Sequence, residues 1–210
     1  MSRQFNRHAV FGAAIAGLSL IGACSDSSTS QGSGMLEVQL TDAPFSSDSV
    51  SRVDIFVVRV DAKQASSDSA EVARGTTDDS ATVNGWTTIA TPNQKIELLK
   101  LRNGMFTTLG AKSVSAASYQ SFRLIIDPSQ SSVTLKDGTV LTSTSSPNVT
   151  FPSAARSGIK INLASPIAVT ANDTTKALVD FDVSQSFVQR GNAIATHGLL
   201  FKPVITVREK

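Results

Sequence analysis

The feature that most constrains this chain is a recurring two-residue alternation of apolar and polar side chains, broken every ten residues or so by turn residues. In Met35–Thr41, Leu36, Val38 and Leu40 alternate with Glu37 and Gln39. Such a period fits a strand with one face buried and does not fit a helix. Residues 52–61 place Val53, Ile55 and Val57 on one face, then shift phase to Val58 and Val60. A phase shift predicts a bulge or a strand buried on both sides. Gly85–Ile89, Met105–Leu109, Tyr119–Asp127 and Gly158–Leu163 read as further strands. Val133–Leu135 and Thr139–Leu141 flank Asp137-Gly138, a hairpin signal. Ile167–Thr170 and Ala177–Val183 flank a turn at Asn172-Asp173. Leu199–Val207 reads as a closing strand, at an edge or bulged at Pro203, which has no N–H to donate. Lys95–Leu101 fits a helical turn as well as a strand, Pro147–Ser157 is irregular, and residues 63–84 are a polar surface loop or hairpin extension. Nine or ten short strands without a long helix predict an all-β sandwich, immunoglobulin-like or prealbumin-like. A small closed β-barrel is the alternative, and a membrane-spanning barrel does not fit segments this short and uneven.

The chain begins differently. Arg3 and Arg7 precede an apolar run, Ala9–Ala23, that is shorter than the ~20 residues a bilayer span needs. A basic start and a short apolar run make a secretory signal. Ile21-Gly22-Ala23-Cys24 resembles the lipobox of bacterial lipoproteins. That resemblance implies cleavage before Cys24 and acylation of Cys24 with diacylglycerol and a palmitate-type chain. Several acyl chains on one residue suffice for stable anchoring. Ser25, rather than Asp, resembles the outer-membrane class, facing either the periplasm or the surface. Residues 24–34, rich in Ser and Gly, read as a tether after the signal at 1–23, and 35–210 as one domain.

Cys24 is the single cysteine of 210 residues, so the chain has neither a disulfide framework nor a cysteine zinc site. Without Arg3 and Arg7 the basic and acidic residues are equal in number, which removes the basic surplus that nucleic-acid binding needs.

Several stretches in order are similar to the bacterial family called domain of unknown function 4382. They are Leu40-Thr41-Asp42-Ala43-Pro44, Val53–Val60, Gly85-Trp86, and Glu97–Leu101 with Gly104. Tyr119–Leu124, Asp137-Gly138, Ser157–Ile161, Asp180-Phe181-Asp182 and Lys202–Ile205 follow. The resemblance implies an exported lipoprotein with a β-sandwich and carries no catalytic residue.

Chemistry is sparse. His197 is the only histidine outside the signal and, beside Gly198, reads as a turn residue. No serine has an evident base. Asp180 and Asp182, two apart on a strand, share a face, and with Asp42 could offer three hard oxygen ligands to Ca²⁺. A solvated face, or an ion pair with Lys160 or Arg123, is the stronger expectation, so no metal or other cofactor is assigned. Asp42-Ala43-Pro44 reads as a structural turn. Trp86, Tyr119 and Phe201 would make a sugar platform if exposed, but their strands favour the core. The expectation is a lipid-anchored, non-catalytic binding or structural protein of the envelope, meeting the membrane through Cys24 and an envelope protein or glycan through its domain. The alternatives are a carbohydrate-active hydrolase pairing Asp180 or Asp182 with Glu97, and an adhesin or pilus-like subunit.

Overall fold

The computed structural model describes residues 32–43, 49–65 and 85–210. The signal, Cys24, most of the tether and the polar stretch 66–84 lie outside the described residues.

Fourteen strands follow in chain order: β1 (Ser33–Asp42), β2 (Val50–Gln64), β3 (Trp86–Ala90), β4 (Gln94–Glu97), β5 (Thr107–Ser115), β6 (Ser118–Ile126), β7 (Ser132–Leu135), β8 (Val140–Leu141), β9 (Val149–Thr150), β10 (Ile159–Ala168), β11 (Thr174–Phe181), β12 (Phe187–Gln189), β13 (Leu199–Phe201) and β14 (Ile205–Glu209). The count exceeds the sequence reading because β9 and β12, two and three residues long, are too short to show a period, and because the closing strand divides into β13 and β14.

Strands β14-β11-β1-β5 form one sheet, with β1 parallel to β11 and antiparallel to β5. The second sheet is organised on β2. One edge of β2 pairs with β3 and β4, the other with β6 and β7, and β10 and β8 extend it outward. A small third sheet runs β12-β13-β9. Leu36, Val38, Leu40, Val179 and Phe181 of the first sheet meet Val53, Ile55, Val57, Phe122 and Leu124 of the second in one buried cluster. Each such side chain contributes roughly 1.5–3 kcal/mol when fully buried. β10 touches β14 and β3 touches β5, but no ladder joins these edges, so the sandwich does not close into a barrel.

The phase shift in β2 is a bulge at Val58. Val57 pairs with Ile126 and Arg59 with the preceding residue, Ile125. Burial therefore moves from Val53, Ile55 and Val57 to Val60 and Ala62. The ambiguous Lys95–Leu101 divides between β4 and a 3₁₀ turn, Leu98–Leu101.

Two expectations change. Leu199–Val207 is not one strand. It breaks at Lys202–Val204, and β13 and β14 enter different sheets. Pro203 cannot donate to a ladder, and the break lets the chain change sheets there. Asp182 is not on a strand either. β11 ends at Phe181, and Asp182 caps the single-turn helix α1 (Val183–Ser186). The turn at Asn172-Asp173 is present, but it passes the chain from β10 in one sheet to β11 in the other.

Candidate functional site

Three buried carboxylate oxygens lack a hydrogen-bond partner among the described residues: Oδ1 of Asp54, Oδ2 of Asp42 and Oδ1 of Asp180. Two of the three residues, Asp42 and Asp180, line one cavity of about 360 Å³. An orphaned buried acceptor costs about 1–3 kcal/mol.

Parallel pairing brings the two aspartates together. Thr41 lies opposite Asp180, and Asp42 opposite Phe181, where β1 and β11 end side by side. Asp42 is only 3% exposed. Its Oδ1 accepts the Val183 backbone N–H at 3.2 Å. Burial pushes the Asp42 carboxyl up to about 7. The Val183 N–H and Arg102 pull it down, and the charges of Asp180 and Asp182 push it further up.

A covering segment closes the outer face of the first sheet. After the 3₁₀ turn, Asn103 and Gly104 both adopt positive φ, 59° and 82°. This left-handed turn folds Met105 and Phe106 back over β1. Thr41 Oγ1 lies within bonding distance of two carbonyls there, Leu101 O at 3.0 Å and Met105 O at 2.7 Å. Phe106 remains 44% exposed. Just after β14, Lys210 places Nζ 3.3 Å from the Phe106 ring centroid and donates to Gln39 Oε1 at 3.1 Å. Arg208, opposite Leu178, shares the lining.

The third aspartate is engaged elsewhere. Asp182 accepts from the Gln185 backbone N–H at 3.0 Å and from Ser184 Oγ at 2.6 Å. Burial raises its pKa, but these hydrogen bonds and that of the Gln185 side chain outweigh it and hold the group below the usual carboxylate range. Among the described residues, no group of three His, Cys, Asp or Glu side chains is arranged to hold a metal ion. Glu97 sits on the second sheet, ion-paired to Lys100 at 2.8 Å and Arg52 at 3.4 Å.

The proposed partners of the aspartates are committed to other roles. Arg123 joins Asp61 of β2, donating through Nε at 2.8 Å, and Lys160 is exposed. Asp61, 1% exposed, also accepts from Arg59 Nε at 3.2 Å and Thr88 Oγ1 at 2.9 Å. The Arg123 guanidinium lies 4.7 Å over the Trp86 ring. Gly158, at φ +113°, leaves room for the Arg123 stem, with which any Cβ would collide. Trp86, Tyr119 and Phe201 are all buried, at 8%, 1% and 1% exposure, so none offers a sugar platform. His197 is exposed at the end of the four-residue helix Ile194–His197.

Sequence reasoning found Asp42 and Asp180 but not Phe106, Arg208 or Lys210. The period in β14 shows that Arg208 and Lys210 point away from the core. It cannot show that residues 102–106 fold over that outward face.

One family model, described as Domain of unknown function (DUF4382), matches residues 33–203. No curated protein and no solved structure matches the chain.

Proposed function

The chain belongs to the family described as Domain of unknown function (DUF4382), and from that premise we propose a lipid-anchored bacterial envelope protein whose sandwich binds a small polar group without transforming it. The observation that carries the binding role is Asp42, a buried carboxyl with Oδ2 unpartnered in the lining of a cavity. A ligand that supplied the missing donor would recover the cost of that orphan. Asp182 is held in its cap and Glu97 in ion pairs, which leaves neither free to share a proton-transfer step with Asp180.

The anchor is supported by the sequence: a basic start, a short apolar run, the lipobox at Ile21–Cys24 and a polar tether. From Ser33 to Asp42, β1 spans about 30 Å at the usual strand rise. The chain enters the sandwich at the Ser33 end, and the cavity lies at the other. A protein held through Cys24 would be joined to the end of β1 that the cavity does not occupy, with the outer membrane as the favoured location.

Metabolic labelling with a fatty-acid analogue tests the anchor. The wild-type chain should carry the label and Cys24→Ala should not; equal labelling would refute it. Ligand-observed NMR of the detergent-solubilised chain against a panel of small polar solutes tests the binding role. At least one solute should bind the wild type and lose binding in Asp180→Asn.

The raised pKa of Asp42 favours one second reading, a glycoside hydrolase with Asp42 as general acid and Asp180 as its partner. Turnover of aryl glycosides that disappears in both Asn variants would establish it; absent turnover in the wild type would end it.

A further inference from the structure

We propose that the cavity lined by Asp42 and Asp180 binds a primary alkylammonium group, and that the ammonium of Lys210 occupies its entrance until such a ligand displaces it. This rests on reading the cavity as a binding site and adds the chemical class of the ligand.

Two acceptors of the lining residues lack donors. Asp42 Oδ2 and Asp180 Oδ1 are buried acceptors with nothing to accept among the described residues. Asp42, 3% exposed, cannot satisfy itself by turning to bulk water. A group with several N–H donors and a positive charge meets both needs at once.

The chain's own side chain shows what the entrance accepts. Lys210 Nζ stands 3.3 Å above the centre of the Phe106 ring and donates to Gln39 Oε1 at 3.1 Å. An aromatic face and an amide oxygen are the elements of an ammonium-binding cage. Lys210 stops short of the carboxylates, for among the described residues it makes no ion pair within 4.0 Å. Its position just after β14, with its backbone N–H bonded to Lys176 O, explains the limit. Gln39 lies opposite Leu178, one residue pair before Thr41 and Asp180 along the same face. A ligand free of the β14 backbone can travel that further step. Its alkyl stem would lie against Leu178, which is buried at 6% exposure, and against Phe106.

Charge balance selects the class. The lining holds two carboxylates, Asp42 and Asp180, and two cations, Arg208 and Lys210. Exchanging one ammonium for another leaves that balance unchanged. A divalent ion would add a second positive charge beside Arg208, and among the described residues no group of three His, Cys, Asp or Glu side chains is arranged to hold it.

The test uses the full chain in detergent, titrated at pH 8 with butylammonium chloride and followed by NMR or calorimetry. Butyltrimethylammonium, with the same charge and tail but no N–H, is the control. Butylammonium should saturate and the control should bind at least tenfold more weakly. Asp180→Asn and Asp42→Asn should each weaken butylammonium at least tenfold. Lys210→Ala should tighten it several-fold, because the competing ammonium is gone; a merely structural Lys210 would lower the melting temperature and leave affinity unchanged. Asp180, at the more accessible position, carries the test if Asp42→Asn fails to fold. A blocked lysine amide that binds more tightly than butylammonium would assign the ligand to a protein side chain, and the reverse order would assign a free amine. Equal binding of amine and control, or butylammonium affinity unchanged in Asp180→Asn, would overturn the proposal. So would calcium chloride binding that butylammonium cannot match. If butylammonium fails but a neutral polyol binds and is lost in Asp180→Asn, the ligand class falls and the cavity stands. If no probe binds, both fall.

Discussion

Asp61 and Asp42 are both buried aspartates on strands at the centre of their sheets, at 1% and 3% exposure, yet they are treated in opposite ways. Asp61 accepts from Arg123, Arg59 and Thr88, and Arg123 is itself held against Trp86. Asp42 has one backbone N–H on Oδ1 and, among the described residues, nothing on Oδ2. One is a completed ion-pair network inside a sheet. The other is an incomplete one beside a cavity. A buried charge that is fully paired specifies structure, and one left unpaired is a candidate for binding or proton chemistry.

The largest effect should come from breaking the completed network. Arg123→Ala leaves Asp61 buried without its guanidinium fork, a change that costs about 3–5 kcal/mol when one partner of a buried pair is removed. Urea denaturation of the detergent-solubilised chain would measure it; a loss under 1 kcal/mol would mean that Arg59 and Thr88 alone suffice and that the contrast is overstated. Gly158→Ala should act through the same network, because its Cβ collides with the Arg123 stem and its φ is positive. We expect on the order of 1–3 kcal/mol from backbone strain and displacement together.

Asp42 should show itself in pH dependence. Its folded pKa, about 7, stands above the ordinary value of 3.8. The folded state then holds a proton that the unfolded state has lost between those two values, so stability falls as pH rises from about 4 to 7. The loss has an upper bound of about 4 kcal/mol. Asp180, Asp182, Arg102, Arg208 and Lys210 are the charged groups around it. Asp42→Asn should flatten that part of the profile. An unchanged slope in Asp42→Asn would show that the orphaned oxygen is solvated.

How far these two centres were legible in the sequence differs for a physical reason. The period-two runs located nearly every long strand, and the phase shift after Val57 marked the bulge, because burial alternates with the backbone. The resemblance also picked out Trp86, Arg123 and Gly158 as separate stretches. Only the strand order shows that they form one cluster, through the pairing of Asp61 with Arg123 and of β2 with β3. Asp180 and Asp182 share a face only when alternation is carried to Val183, two residues past the end of β11 at Phe181. The Ser184 and Gln185 donors that turn Asp182 into a cap act locally and stop the strand at Phe181. Lys210 reached the site by folding over a face that alternation marks only as outward.

The smallest predicted effect sharpens the comparison most, because it joins a stability change to a shift at a distant group. Asp182→Ala removes the cap of helix α1 and should cost about 1 kcal/mol. It should also remove a negative charge that raises the pKa of Asp42. The Asp42 titration, followed by carboxyl carbon NMR, should therefore move to lower pH in Asp182→Ala. Ser184→Ala separates the two effects, since it weakens the cap but keeps the charge. It should lower stability by less and move Asp42 little. If Ser184→Ala shifts Asp42 as far as Asp182→Ala does, then Asp42 responds to the position of helix α1 through the Val183 N–H, and the two aspartates are coupled by structure rather than by charge.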